Sequence, residues 1–234
     1  MERTYAEYAA HQAVELLAID SPTGFTRQAA EWVLNAFRSL GYEARTTVKG
    51  GVLIDLGGSD ENDGLLLEAH ADTLGGMVAE IKGSGRLRLT ALGGMRPENG
   101  EAENVRVYTR SGRVIEGTCE VVLDEDVKSA DDTRALGVEV GDVVCFEPRT
   151  RITGSGYIKS RFLDDKLSVG ILLGLAKFMK DKGLTPRRRV YAHVTVYEEV
   201  GHGGAASVPQ GVTEAISVDM GCVGDGLRCT ERQV

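Results

Sequence analysis

A histidine and a set of carboxylates stand in this sequence at positions from which they could share cations. His70 and Asp72 follow the short apolar run that starts at Leu65, and Glu198 and Glu199 follow the β-rich run from Arg189. Asp219 ends the run from Ala215, and Asp164-Asp165 opens a long apolar stretch of helical pattern. In an open α/β sheet, ligands sit beyond the carboxyl ends of the strands, so strand-end residues converge there. Carboxylates gathered at one sheet edge repel one another unless cations lie among them. Histidine with Asp and Glu is a borderline nitrogen and oxygen donor set, suited to Zn²⁺, Co²⁺ or Mn²⁺. A carboxylate bridging two such ions, with a free carboxylate beside it to take a proton from water, is a hydrolytic arrangement.

Taken singly, each of these groups has a plainer reading. His-x-Asp at a strand end can be structural. Asp164-Asp165 at a helix N-terminus is favoured by the helix dipole alone. Neighbours on a straight strand point to opposite faces, so Glu198 and Glu199 reach one site only if the chain turns there; Gly201, Gly203 and Gly204 permit that turn. The joint order and placement is what favours the metal reading. His193, in mid-strand, reads as a core histidine, whereas His202 could line the site.

The elements that must position these groups follow from periodicity. Residues 4–19 and 26–40 have the spacing of amphipathic helices, the second capped by Thr26 and ended by Gly41. Residues 43–48 and 51–56 form strands about a Gly50-Gly51 turn, 57–64 a polar loop, and 65–70 a buried strand. From about Gly75 the texture becomes antiparallel, with hairpins expected around Gly83-Ser-Gly85 and Ser111-Gly112, a short helix near 129–136 and a strand over 140–148. Helix and strand alternate again from Tyr157: a buried helix over 164–181, the strand ending at Glu198-Glu199, a glycine-rich turn and short helix over 201–208, and a buried strand over 215–219. This pattern gives an α/β catalytic domain, residues 1–72 and 157–234, interrupted by a β-rich domain over 73–156.

The 234 residues are 42% hydrophobic and 26% charged, which excludes disordered and collagen-like classes. A formal charge of −8 argues against nucleic acid and anionic membranes as partners. The longest apolar run, 167–179, carries Ser168 and Lys177 and is too short to span a bilayer. The first residues lack the basic-then-apolar layout of a signal peptide, so a cytoplasmic protein is expected. Cys119, Cys145, Cys222 and Cys229 are scattered without a Cys-x-x-Cys pair and read as reduced thiols, and Arg187-Arg-Arg189 as solvated charge.

Four ordered motifs carry a resemblance: His70-Ala-Asp72, Ser160-Arg-Phe-Leu-Asp-Asp-Lys-Leu-Ser-Val-Gly170, Glu198-Glu-Val-Gly201 and Ser217-Val-Asp-Met220. Together with the β-rich insert between the first two, they resemble the M42 family of metallo-aminopeptidases. The resemblance implies a mixed, largely parallel sheet flanked by helices, of zinc-peptidase type, with a barrel or PDZ-like insert that serves as an oligomerisation and lid domain. It implies two divalent ions, zinc or cobalt or manganese. His70 and Asp219 would hold one, Glu199 the other, and Asp164 would bridge them across a cis peptide to Asp165. Glu198 would be the general base, and Asp72 would orient His70. Free peptides trimmed from the N-terminus are the implied substrates, and homodimers assembling into dodecamers the implied state. Thr73-Leu-Gly75 departs from the family's usual Glu-Ile-Gly after His-x-Asp, and the family's last histidine ligand has no counterpart after Asp219, which implies a chain shortened at its C-terminus. Two other classes are weighed beside this one: a glycosidase with Glu198 and Glu199 as acid and base, and a non-catalytic assembly subunit.

Overall fold

The structure, a computed structural model, describes residues 3–224 and Thr230. Cys229 lies outside the described residues. Chain order runs α1 (Arg3–Leu17), α2 (Arg27–Ser39), β1 (Glu43–Thr46), β2 (Val52–Gly57), β3 (Asp60–His70), β4 (Gly75–Ile81), β5 (Leu87–Leu92), β6 (Asn104–Tyr108), β7 (Val114–Thr118) and β8 (Val122–Leu123). It continues with α3 (Ala130–Ala135), β9 (Val143–Phe146), β10 (Arg151–Ile152), β11 (Ile158–Lys159), α4 (Leu163–Asp181), β12 (Arg188–Thr195) and β13 (Val212–Ser217).

The first sheet has the order β1-β2-β12-β3-β13. Alternate residues of its strands, among them Ile54, Ala69, Ala192 and Val194, face one side and pack on Leu16 of α1, Phe37 of α2 and Leu172 and Leu173 of α4. The three helices thus cover a single face, as the period-2 strands and period-3.6 helices require. The sheet is evenly mixed rather than largely parallel. β12 and β13 pair in parallel with β3, whereas β2 is antiparallel to both β1 and β12, because the tight β1–β2 hairpin brings β2 in against the grain.

The second sheet, β5-β4-β9-β6-β7-β8, is antiparallel throughout and encloses Val78, Val105, Val107, Ile115, Val144 and Phe146. It curls into a half-barrel and not the barrel or PDZ-like unit expected. One backbone bond, Leu87 N–H to the Val121 carbonyl, and the exposed Arg86–Glu120 pair link its two ends, and the two-residue β8 is too short to zip them closed. Ser129 caps α3 through a reciprocal bond with Asp132, the capping box its sequence allows.

Between the sheets, Arg106 of β6 grips Asp20 with two bonds of 2.7 Å, and the Tyr108 hydroxyl donates a third of 2.7 Å. The buried Lys166 ammonium donates to the Ile19 carbonyl at 2.6 Å in the same seam. Four local expectations change. β3 begins at Asp60, so most of the polar stretch 57–64 is a solvated strand end, paired to β12 at Asp60 and Gly64 with a register break between them. The short helix expected over 201–208 does not form; a 3₁₀ turn stands earlier, at Glu198–Val200. Arg188 and Arg189 are half-buried and pair with Glu214 and Asp55 instead of facing water freely. β13 is exposed rather than buried, since it forms the sheet edge with no strand beyond it among the described residues.

Candidate metal centre

β3, β12 and β13 run parallel, so their carboxyl ends share one edge. Thr195 lies opposite His70 in the ladder, and Asp219 follows Ser217, which lies opposite Glu68. α4 enters the same edge at Asp164-Asp165, whose peptide bond is cis. The chain turns sharply at the 3₁₀ turn after β12, which carries Glu198 and Glu199 together to the site.

His70 is buried, and its Nδ1 meets the backbone carbonyl of Asp72 at 2.9 Å. That bond assigns the ring's hydrogen to Nδ1 and leaves Nε2 to face the carboxylates, 3.0 Å from Asp164 Oδ1 and 3.5 Å from Glu198 Oε2. Ligand atoms of His70, Asp164 and Asp219 all lie within 4.8 Å of one another. Burial drives the His70 imidazolium down, but the Asp164 and Asp72 carboxylates outweigh it and hold the group up to about 11. Burial pushes Glu199 up to about 7, with Asp164 the leading like charge. Glu198 is raised by burial and then by Asp219, Asp72 and Asp164, against His70. A pocket in which one histidine proton serves so many carboxylates is a place where a divalent ion and that proton compete, and the donors fit such an ion.

Asp72 is fully buried behind this group. Its carboxylate accepts the Thr23 hydroxyl at 2.7 Å and the backbone N–H groups of Glu198 and Glu199 at 3.2 and 3.3 Å. Burial pushes Asp72 up, but the His70 ring, its Nδ1 3.5 Å from Oδ1, and these bonds together hold it below the usual carboxylate range. A cavity of about 360 Å³ opens beside His70 and Glu198, roofed by residues 201–205.

A sequence profile described as M42 glutamyl aminopeptidase matches residues 50–234. The chain belongs to the M42 aminopeptidase family. Among its relatives, YhfE of Bacillus subtilis is 37% identical over 94% of this chain and 70% of its own length. The glutamyl aminopeptidase of Lactococcus lactis is 26% identical over 81% of this chain, which spans 59% of that enzyme. An aminopeptidase from the archaeon Desulfurococcus kamchatkensis shares the fold with a TM-score of 0.85 at 22% identity, over 98% of this chain and 67% of that one. A Pyrococcus horikoshii TET1 peptidase, described as able to assemble into a tetrahedron or a large octahedral shell, matches with a TM-score of 0.75 at 22% identity, over 90% of this chain and 68% of that one.

Within this M42 chain, the candidate residues fall into two sets. His70, Asp164 and Asp219 come together, with Glu198 at their margin. Glu199 stands outside that trio, and Asp72 acts on His70 through its backbone carbonyl and its carboxylate, and through the carboxylate also on the Glu198–Glu199 turn. His193 is buried and bonded to Glu68 at 2.7 Å. His202 lines the cavity, stacks on Tyr197 and accepts from Lys49 at 3.0 Å. The sequence reading missed Thr23, which lies between the two expected amphipathic helices, and missed Glu68, whose two-residue spacing from His70 on one strand already placed both on one face.

Proposed function

We propose that this chain carries a two-metal aminopeptidase centre. His70 and Asp219 would hold one ion and Glu199 the second, with Asp164 between the two. The observation that carries the reading is the approach of His70, Asp164 and Asp219 ligand atoms to within 4.8 Å at the edge of a sheet shared with aminopeptidase structures. Zinc or cobalt suits the donors best, and manganese is the third option. When bound, such ions polarise a carbonyl and acidify water.

The chain's own residues supply the rest. Glu198, half-exposed and raised in pKa, takes the proton from the attacking water and returns it to the leaving amine. Asp72 fixes the backbone that presents Glu198 and Glu199. The substrates are peptides shortened from their N-termini. A histidine among mutually close acidic donors favours an ion over the cleft-flanking carboxyl pair of a glycosidase. The proposal includes residues 1–72 and 157–234 as the catalytic unit, 73–156 as an inserted assembly and lid unit, and a homo-oligomer working in the cytoplasm. The match to shell-forming TET1 peptidase supports assembly. No helix among the described residues is long and apolar enough to cross a membrane.

The test is release of N-terminal residues from a mixed peptide set with Zn²⁺ or Co²⁺, with chelator, and with Glu198→Gln. Turnover that needs metal and disappears in the variant, while calorimetric metal binding persists, is the expected result. Turnover that survives chelation or the Glu198→Gln substitution overturns the mechanism.

A further inference from the structure

Beneath the metal-ligand row lies a second row of side chains on the same face of the same three strands. His193, Glu68 and Ser217 are directly opposite one another in the ladders, two residues before Thr195, His70 and Asp219. Side chains two apart on a strand share a face about 7 Å apart. Glu68, Ser217, Thr195 and the glycine loop line one cavity with His70 and Glu198.

Glu68 is the charged member of that row. An ionised carboxylate only accepts, so the buried His193 donates Nδ1–H to Glu68 Oε1 at 2.7 Å and fixes the carboxylate in place. Oε2 makes no hydrogen bond among the described residues. The side chain keeps 23% of its surface open, and the cavity is where that surface lies. Gly204 roofs it closely: a Cβ there would stand 2.7 Å from Glu68 Oε1. The cavity therefore ends in an oriented carboxylate, one pleat below the metal ligands.

We propose that Glu68 forms the floor of a subsite for a cationic side chain, that of an N-terminal lysine or arginine. This rests on the aminopeptidase reading of the centre above it. Reach decides between the two cations a peptide offers. With the scissile carbonyl at the His70 row, the α-ammonium is two bonds away, about 2.5 Å, and cannot span the pleat. A lysine side chain, five single bonds of about 1.5 Å, can.

The experiment is calorimetric binding of L-lysinamide and L-norleucinamide to the Zn²⁺-supplemented protein. Both carry the α-ammonium, so their difference reports the side-chain cation alone. The wild type should bind lysinamide about tenfold tighter or more, the size of a charge-assisted hydrogen bond. Glu68→Gln should bring the two ligands within about twofold. Ser217→Lys places a competing ammonium opposite Glu68 from an exposed strand, and it should do the same without altering the buried pair. Equal or absent binding of the two ligands by the wild type overturns the subsite, as does a preference that survives either folded variant. Turnover assays separate the two readings. Cleavage of leucyl peptides with no lysine preference removes the subsite and leaves the aminopeptidase, whereas selective lysinamide binding without any turnover removes the aminopeptidase and leaves the subsite.

Discussion

Replacing Asp72 by Asn tests how the Glu198–Glu199 turn is held. In the wild type the Asp72 carboxylate is fully buried and accepts three hydrogen bonds, Glu198 N–H on Oδ1 and Glu199 N–H with the Thr23 hydroxyl on Oδ2, and has His70 Nδ1 3.5 Å from Oδ1. An amide has one accepting oxygen. Its best placement keeps that oxygen on Glu198 N–H and turns the NH₂ toward Thr23, whose hydroxyl can rotate to accept. Glu199 N–H then loses its partner, and the remaining bonds lose their charge. One lost charge-assisted bond and one stranded donor together cost roughly 2–4 kcal/mol. For a domain of this size that corresponds to a fall in Tm of roughly 4–16 °C. The measurement is thermal and urea unfolding in chelator, which removes stabilisation by bound metal. Thr23→Val should cost about 1.5–3 kcal/mol alone. The double variant should fall short of the sum by about 1 kcal/mol, because the two groups share a bond. Zinc titration of Asp72→Asn should show weakened binding as Glu199 drifts. Unfolding within 0.5 kcal/mol of wild type (a margin of ~0.5 set by additivity scatter), with unchanged zinc affinity, would refute the assignment of Asp72 as the brace of this turn.

Two further outcomes are expected. Arg106→Met removes both guanidinium bonds from the nearly buried Asp20 carboxylate, leaving it the Tyr108 hydroxyl as seam hydrogen-bond donor and the charge of nearby Lys166, and should cost about 3 kcal/mol or more; hydrogen exchange should quicken in β6 and β9 before it does in β2 and β12. Gly93 has φ +73°, and a Cβ there would stand 2.5 Å from Leu74 Cδ2 and 3.2 Å from the Glu199 carbonyl, so Gly93→Ala should cost about 1–3 kcal/mol through strain and crowding and weaken zinc binding measured by titration.

Much of the framework was legible in the chain. The helices α1, α2 and α4, the β1–β2 hairpin and the antiparallel hairpins β4–β5 and β6–β7 follow from local periodicity and turn chemistry, which act over a few residues. Placement of His70, Asp164 and Asp219 was legible for a related reason. Apolar runs ending in polar residues mark strand ends, and parallel strands bring those ends to one edge.

Partner choice was not local, and only tertiary structure decided it. The run 215–219 was expected to be a buried strand, yet β13 stands exposed, because the local pattern encodes what a strand prefers and not whether a neighbour arrives beyond it. Arg188 and Arg189 read as solvated charge until register set them beside Glu214 and Asp55. Asp72 was expected to orient His70, and it meets the ring with its backbone carbonyl at 2.9 Å as well as its carboxylate at 3.5 Å; what only the fold decided is that the same carboxylate also reaches the Glu198 and Glu199 amides. Glu68 and His193 are 125 residues apart in sequence and bonded at 2.7 Å in space. Residue types set what each group can donate, accept or ligate, and the parallel register of β3, β12 and β13 decided which groups meet.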